Sequence, residues 1–319
     1  MSIRLSSSIA LASCNGERHM REQLASIACQ TMLPDELVVY DDASTDATPA
    51  IVLDFARHAP FPVRYFQNSK RVGTVPNFEN AIRACEGEII FLCDQDDVWH
   101  VNKIALIKER FISSPDVGAV FTDANIVDEN LHSLGYRLWQ VFKFTVREQA
   151  QVAFRDALGV LIKHPVVTGA TMAFRSHYRD LVLPLTDTWH DAWISFLIGA
   201  TSHLDAVPSP LVTYRLHNGN QLGIPRRGRN RGKSCEVVYG PMVRRYEMVL
   251  QRLQERAGTF PCSTINLGRI EEALSFLRVR AALPDARWRR LPGVLHELAV
   301  LRYHRYAYGF HSLYKDLVR

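Results

Sequence analysis

The densest group of chemically competent side chains in this sequence is the run Asp94-Gln95-Asp96-Asp97. Three carboxylates within four residues repel one another, so folding them together is unfavourable unless a cation is bound. A divalent ion held by one or two carboxylates and by phosphate oxygens would meet that need. The alternative is an acidic surface turn. Because the run directly follows the apolar residues 88–93, we favour a metal–diphosphate site.

Polar and acidic side chains follow two other apolar segments. The pair Asp41-Asp42 comes after residues 36–40 and could accept hydrogen bonds from a ribose or a base. A single carboxylate there would more often cap a helix, which is the role expected for Asp46. The polar loop 13–17 follows the first apolar segment. In parallel sheets ligands bind beyond the carboxyl ends of the strands, so the three clusters are expected to converge.

Two later clusters could act on a substrate. Asp191 lies between Trp189 and Trp193 and is a candidate general base, with a helix N-cap as the alternative role. Arg215 follows the last apolar segment and suits phosphate binding. His217 could ligate a metal or bond a phosphate oxygen, and a structural role is the alternative.

The elements that must position these residues are predicted from hydrophobic periodicity. Strands alternate with helices, which predicts an α/β fold with a mostly parallel sheet. The predicted strands are residues 8–12, 36–40, 63–66, 88–93, 118–123, 168–174 and 206–214. Residues 136–160 form an inserted, partly helical region rich in aromatic side chains. After a basic linker that begins at Pro225, helices are expected at 234–257, 264–282 and 288–316.

Composition separates the chain into two parts. Residues 1–224 carry 19 Lys/Arg and 25 Asp/Glu, a net charge of −6, whereas residues 225–319 carry 19 and 8, a net charge of +11. We therefore predict a catalytic domain over 1–224 and a basic helical region over 225–319. The sequence has no apolar run long enough to span a bilayer and no recognisable signal peptide. The six cysteines form no metal-binding pattern and are expected to be buried thiols in a reducing cytoplasm.

The basic tail suggests an anionic partner such as the inner face of the cytoplasmic membrane. Its apolar side chains recur at helical spacing: Trp288, Leu291, Leu295, Leu298 and Leu301. This stripe could lie on a bilayer, or it could pack on the catalytic domain or on a second subunit of an oligomer. We favour packing, with peripheral membrane association through the basic face as a secondary role.

With these residues in place, residues 6–222 resemble the family-2 glycosyltransferases of the GT-A fold. The resemblance is carried by Ala12-Ser13-Cys14-Asn15-Gly16-Glu17, Gln30-Thr31 with Pro34, Asp41-Asp42-Ala43-Ser44-Thr45-Asp46, Asn77-Phe78 and Asp94-Gln95-Asp96-Asp97-Val98-Trp99. The later motifs are similar to those of bacterial enzymes that build cell-surface polysaccharides, rhamnosyltransferases especially. Those motifs are Gly169-Ala170-Thr171-Met172, His190-Asp191-Ala192-Trp193 and Tyr214-Arg215-Leu216-His217. Three positions depart from the family pattern: Cys14, where an aromatic is common, Ala43, where Gly is common, and His190, where an acid is common.

The resemblance implies a role for each matching residue. The nucleotide sugar would be bound by Ala12, Ser13, Asn15, Glu17, Asp41, Asp42, Asn77, Asp94, Gln95 and Arg215. Asp96 and His217 would hold Mg²⁺ or Mn²⁺ against the diphosphate, and Asp191 would be the catalytic base. The acceptor would be contacted by Gly169, Ala170, Thr171, His190 and Trp193. Asp97 would give structural support.

The implied function is inverting transfer of a sugar from a nucleotide donor to a saccharide or lipid-linked acceptor in cell-surface polysaccharide or lipopolysaccharide synthesis. Rhamnose from dTDP-rhamnose is the first expectation for the donor, and a UDP-hexose is the alternative. A nucleotidyltransferase would need a Gly-rich basic loop after the first strand, but loop 13–17 has one glycine and an acid. A nucleic-acid-binding protein is disfavoured because the front of the chain is acidic and the tail carries no recognised binding motif.

Overall fold

The computed structural model describes residues 4–186, 189–217 and 233–318. The chain divides into two compact units, one of residues 1–155 and 166–221 and the other of residues 156–165 and 222–319. The predicted domain boundary at 224 and the basic linker that begins at Pro225 lie outside the described residues.

Within the described residues, the first unit is built on one mixed sheet of nine strands. The strands are β1 (Ser7–Ser13), β2 (Glu36–Asp41), β3 (Val63–Gln67), β4 (Ile89–Asp94), β5 (Val98–Trp99), β6 (Val117–Val127), β7 (Ser133–Arg137), β8 (Met172–Arg175) and β9 (His203–Arg215). The helices are α1 (Met20–Ala28), α2 (Thr48–His58), α3 (Thr74–Ala84), α4 (Lys103–Ser113), α5 (Leu138–Val141), α6 (Val146–Ala153), α8 (Arg179–Val182) and α9 (His190–Thr201), with α7 (Ala157–Leu161) in the second unit.

The strand order β3-β2-β1-β4-β8-β6-β9-β5 explains where the polar clusters lie. The first four strands of this order are parallel. The strands β1, β2 and β4 are nearly continuous in buried apolar residues, as expected for strands covered on both faces, whereas the edge strand β3 is half-buried. In their register Ala12 is level with Asp94, and Ser13 is level with Asp41. The loops that follow β1, β2 and β4 therefore leave the sheet at the same edge. The predicted α/β class is confirmed.

Some elements differ from the sequence prediction. Residues Gly169–Thr171 form a 3₁₀ turn, and the strand expected over 168–174 begins only at Met172. The two-residue strand β5 was not predicted; it pairs antiparallel with β9 and holds the Asp94–Asp97 segment against that strand. A two-residue strand has too little periodicity to be recognised from sequence.

The second unit is helical, as predicted. Its main helices are α10 (Cys235–Glu255), α11 (Thr264–Ala281), α12 (Leu291–Ala299), α13 (Arg302–Tyr306) and α14 (Phe310–Val318). The single helix expected over 288–316 is wrong. The chain turns at Leu301 and at Gly309, whose φ angles of 60° and 56° are incompatible with a continuous right-handed helix.

Burial in the structure corrects two further expectations. Trp288, Leu291, Leu295 and Leu301 are exposed, so this stripe is not packed within the single chain, and its packing on a second subunit stays a prediction. Cys29 is exposed, and Cys14 and Cys262 are half-buried, so only Cys85, Cys93 and Cys235 are the buried thiols expected. Among the described residues, no helix is long and apolar enough to cross a membrane.

Candidate active site

The loop after β1 is joined to the loop after β2 by a series of hydrogen bonds. The amides of Asn15 and Gly16 donate to Ser44 Oγ at 2.7 Å and to Thr48 Oγ1 at 2.8 Å. In return, Asn15 Oδ1 accepts from the Thr45 amide at 2.9 Å, and Glu17 Oε2 accepts from the Ala47 amide at 2.9 Å. The side-chain oxygens of Asn15 and Glu17 thus bind backbone, and the two loops form one rigid rim at the sheet edge.

The carboxylates of Asp41 and Asp42 are buried and fully supplied with protein donors. Asp41 is 0% exposed and accepts hydrogen bonds from four side chains: Ser13 Oγ, Ser44 Oγ, Tyr65 Oη and Gln67 Nε2. Asp42 accepts from Asn68 Nδ2 at 3.0 Å and from the amides of Val72 and Gly73 at 2.7 Å and 2.9 Å. These partners make the pair part of the scaffold, which is not the open ribose or base contact expected for Asp41.

Two amide side chains connect the rim to neighbouring elements. Asn77 is buried at the start of α3 and donates to the carbonyls of Tyr40 and Ser13. Gln95 pairs with the backbone of Cys14, accepting from its amide at 2.8 Å and donating to its carbonyl at 3.1 Å. A Cβ on Gly16 would overlap Gln95 Oε1, so a larger residue at this position would displace the glutamine side chain. Asn77 and Gln95 support the site through protein contacts.

The carboxylates of the Asp94–Asp97 segment have few protein donors. Asp97 is buried; its Oδ1 accepts from the Arg215 amide at 3.1 Å, whereas its Oδ2 has no hydrogen-bond partner. Burial raises the pKa of Asp97, and the charges of Asp96 and Asp94 raise it further. Burial, followed by the charges of Asp96 and Asp191, raises the pKa of Asp94 to about 7. The structure therefore brings Asp191 to the same acidic site.

Asp96 and His217 meet directly, because Asp96 Oδ2 lies 2.7 Å from His217 Nε2. Arg215, the last residue of β9, is only 2% exposed. Its guanidinium donates to the carbonyls of Asp96 and Glu129 at 2.8 Å and 2.7 Å and to the Glu22 carboxylate. These bonds fix the backbone of Asp96, so the structure favours a supporting role for Arg215 over the predicted phosphate contact.

The carboxylate of Asp191 is held at the first turn of α9. It accepts from the Ala192 amide at 2.7 Å and from the Gly169 amide at 3.1 Å. The buried ring of His190 stacks on Phe78, with 4.2 Å between centroids, and its Nε2 has no partner. Because a Cβ on Gly169 would lie 2.7 Å from that nitrogen, this loop packs tightly against α9.

The other residues expected at the acceptor are buried in the scaffold. Ala170 is 0% exposed, and both the amide and the hydroxyl of Thr171 donate to the Thr168 carbonyl at 2.9 Å. Trp193 is 1% exposed and donates from its indole nitrogen to the Val182 carbonyl at 2.8 Å. These side chains offer no open surface to an acceptor and instead position the turn that holds Asp191.

Sequence reasoning missed two residues at this site. Lys103, the first residue of α4, is fully buried; its Nζ donates to the Ala170 carbonyl at 2.7 Å and lies 3.5 Å from the Trp99 ring centroid. Burial lowers the pKa of Lys103 to about 7, although Asp97 and Asp94 oppose this shift. Burial and the charges of the four site carboxylates raise the pKa of Tyr214. The sequence signal for Lys103 was a lysine on the helix face that also carries Ile104, Ile107, Lys108 and Phe111.

The model of the family described as glycosyl transferase family 2 matches residues 8–178, more than half of the chain. The chain belongs to glycosyl transferase family 2. It is therefore a glycosyltransferase, and the site lies among the elements that the family model covers. The exceptions, which come after residue 178, are His190, Asp191, Trp193, Tyr214, Arg215 and His217.

Curated relatives match parts of the chain. An uncharacterized protein of Mycobacterium tuberculosis is 40% identical over 93 residues, which are 29% of this chain and 27% of that protein. An uncharacterized glycosyltransferase of Nostoc sp. is 26% identical over 218 residues, which are 67% of this chain and 65% of that protein. The chain thus spans about a quarter of the mycobacterial protein and just under two thirds of the Nostoc protein.

Solved structures share the fold. Staphylococcus aureus TarS 1–349, in complex with UDP-GlcNAc, superposes with a TM-score of 0.55 at 16% identity, covering 95% of this chain and 89% of that one. The mannosyltransferase PcManGT of Pyrobaculum calidifontis, in complex with GDP-Man and Mn²⁺, superposes with a TM-score of 0.51 at 20% identity, covering 93% and 76%. These likenesses confirm the GT-A fold with C-terminal helices that was expected from the sequence.

Proposed function

We propose that this glycosyltransferase inverts the anomeric carbon of its donor, with Asp191 as the general base. The observation that carries the proposal is that the 169–171 turn, whose Gly169 amide binds Asp191, packs against β4, the strand that ends at Asp94. The charge of Asp191 also raises the pKa of Asp94. A carboxylate in this position can remove the proton of an acceptor hydroxyl. Asp191 is held by the amides of Ala192 and Gly169, so it can act as the base while Asp94 and Asp96 face the diphosphate.

The donor set supports a divalent ion, and Mg²⁺ and Mn²⁺ are the proposed candidates. Asp96 and His217 approach each other as two ligands of one ion would, and the second oxygen of Asp97 is buried without a partner. The described residues include no preformed group of three His, Cys, Asp or Glu ligands. Diphosphate oxygens and water would complete the shell, as the complex of PcManGT with Mn²⁺ suggests. When bound, the ion would neutralise charge on the leaving diphosphate.

The protein groups then divide the reaction between them. Asp191 takes the proton from the acceptor hydroxyl as its oxygen forms a bond to the anomeric carbon. The bond from that carbon to the diphosphate oxygen breaks, and the electron pair leaves with the nucleoside diphosphate. The transition state has oxocarbenium character, as in inverting glycoside hydrolysis with a hydroxyl in place of water. The rim of residues 12–17 and 41–48 would hold the nucleotide, and the Gly169 amide would orient Asp191.

For the donor we propose dTDP-rhamnose, on the resemblance of the 190–193 and 214–217 motifs to rhamnosyltransferases, with a saccharide or lipid-linked acceptor of a cell-surface polysaccharide. A UDP-hexose is the second candidate, supported by the UDP-GlcNAc complex of TarS. A panel of nucleoside diphosphates and their sugars, measured by thermal shift with Mg²⁺ or Mn²⁺, distinguishes the two. If no member of the panel stabilised the protein, the nucleotide-sugar site would be refuted.

The base is tested by Asp191→Asn. We expect turnover to fall by about 10²–10⁴-fold, the usual contribution of a general base, while nucleoside diphosphate binding stays within about twofold of the wild type. Asp54→Asn is the matched control, because Asp54 is exposed on α2, and it should leave both quantities unchanged. Near-normal turnover of Asp191→Asn would show that another group accepts the proton.

A further inference from the structure

The end of the chain presents an unusual combination of exposed apolar and basic side chains. In residues 286–318, six large apolar side chains other than Tyr308 are between 45% and 70% exposed: Trp288, Leu291, Leu295, Leu301, Phe310 and Tyr314. Leu291 and Leu295 are one helical turn apart on α12, as Phe310 and Tyr314 are on α14, so each pair lies on one face of its helix. We refer to these six residues, with the basic side chains beside them, as the tail surface.

The helices beneath the tail surface form a small core of their own. α12 packs against α13 and α14, with Val294 and Tyr303 buried between them. At the centre, Asp316 is 0% exposed and accepts hydrogen bonds from Arg280, Tyr239 and Tyr303. The exposed apolar residues therefore lie outside a core that is already closed, and burying them requires another partner.

The charges of the tail surface all have one sign. Residues 286–318 contain two acids, and both are buried: Asp316 in the core and Glu297, 1% exposed, beside Arg302. The exposed charged residues of this segment are Arg287, Arg289, Arg305 and Lys315, of which Arg305 is paired with Glu272 at 3.7 Å. A partner that covers this surface must therefore accept apolar side chains and supply negative charge.

We propose that the tail surface docks this glycosyltransferase on an anionic lipid bilayer. Tryptophan, tyrosine and phenylalanine side chains insert at the boundary between headgroups and acyl chains, and neighbouring arginines and lysines contact anionic headgroups. The guanidinium of Arg289 already lies 5.0 Å from the Trp288 ring centroid, so the apolar and cationic groups are presented together. A second copy that contacted this chain through the same surface would meet only one of the two requirements, because two surfaces of equal positive charge repel each other.

The test is co-sedimentation of the full chain with vesicles of phosphatidylcholine or of an equimolar mixture of phosphatidylcholine and phosphatidylglycerol. We expect binding to the mixed vesicles that weakens as salt is added, and little binding to the neutral ones. Arg287→Ala/Arg289→Ala should lower the partition coefficient by about thirty-fold, since each basic residue near an anionic surface contributes about fivefold. Trp288→Ala/Phe310→Ala should lower it by about tenfold or more.

Matched controls come from exposed residues outside the tail surface. Ile265→Ala removes an apolar side chain that is 74% exposed on α11, and Arg57→Ala/Arg83→Ala removes two exposed cations of the first unit; both should bind as the wild type does. Equal binding of the tail-surface variants and the controls would overturn the proposal. A wild-type dimer that Trp288→Ala/Phe310→Ala converts to a monomer, with no vesicle binding, would also overturn it. Nucleoside diphosphate stabilisation should be the same in every variant, so this failure is distinct from failure of the nucleotide-sugar site.

Discussion

Two acidic clusters lie at the same edge of the sheet, Asp41 with Asp42 at the end of β2 and Asp94 with Asp97 at the end of β4, yet their hydrogen bonding differs. Asp41 and Asp42, at the end of β2, accept hydrogen bonds from side chains and amides on almost every side. Burial and the charge of Asp96 raise the pKa of both Asp94, the last residue of β4, and Asp97. Among the described residues, one oxygen of Asp97 has no hydrogen-bond partner.

The difference separates carboxylates that build the site from carboxylates that need a ligand. A buried carboxylate with a full set of donors is stable as an anion, whereas one without donors costs free energy until a cation arrives. From the sequence the two clusters looked equivalent, since both are acidic runs after an apolar strand. The structure therefore directs the search for metal and diphosphate contacts to the segment after β4.

The largest effect should come from Asp96→Asn, which removes a carboxylate from the Asp94–Asp97 segment. We expect a loss of turnover of about 10³-fold, roughly 4 kcal/mol, because a proposed metal ligand is lost. Metal-dependent stabilisation by nucleoside diphosphates should disappear with it, while the melting temperature of the ligand-free protein stays close to that of the wild type. A full metal response in this variant would contradict the proposed site.

Asp41→Asn should act in the opposite way, through stability. The Asp41 carboxylate accepts hydrogen bonds from four side-chain donors. In the variant, the NH₂ group of the amide would point at one or more of these donors and could not accept a hydrogen bond. We expect the free energy of unfolding to fall by about 2–3 kcal/mol, measured by urea denaturation. Asp54→Asn, on the exposed face of α2, serves as the control. If Asp41→Asn were fully stable but unable to bind nucleotide, Asp41 would be a ligand contact and not a scaffold residue.

The sequence predicts where the two carboxylate clusters lie, but it does not predict which of them is supplied with hydrogen-bond donors. Periodicity gave the parallel strands, and their common edge brought Ser13, Asp41 and Asp94 together. It could not say which carboxylate would have donors, because the donors to Asp41 and Asp42 come from Tyr65, Gln67 and the 68–73 loop, distant in sequence. Arg215 looked free for the same reason. A side chain's partners depend on tertiary packing, which local spacing does not report.

Lys103 is a buried basic residue whose pKa is affected by Asp94 and Asp97. Lys103→Met should lower turnover by about tenfold, because the Ala170 carbonyl loses its donor and the adjacent Gly169 amide holds Asp191 less firmly. The effect should fall on kcat more than on KM for the donor. Lys103→Gln keeps a donor without the charge, and its recovery of activity would assign the effect to the hydrogen bond.

The lowered pKa of Lys103 also predicts that the stability of the wild type relative to Lys103→Met depends on pH. The pKa of Lys103 is about 7 in the folded protein and near its ordinary value of 10.5 when unfolded. Between these values the unfolded chain binds the extra proton, so wild-type stability rises with pH, by at most about 1.4 kcal/mol per unit. Lys103→Met lacks this term. The stability of the wild type relative to the variant should therefore increase from pH 7 towards pH 9, and a constant difference would show that burial does not lower the pKa of Lys103.

The smallest effect should come from Gly16→Ala, which tests whether the scaffold cluster and the ligand cluster are mechanically joined. The added Cβ would meet Gln95 Oε1 at 2.4 Å, and because this is the end of a side chain, the glutamine can move away. Its two hydrogen bonds to Cys14 would then be lost, and the rim would shift relative to Asp94 and Asp96.

We expect nucleoside diphosphate affinity to fall by about fivefold, roughly 1 kcal/mol, with the fold intact. Gly268→Ala, where a Cβ meets nothing within 4 Å, should bind as the wild type does. Unchanged affinity in Gly16→Ala would mean that the rim and the Asp94–Asp97 segment act independently.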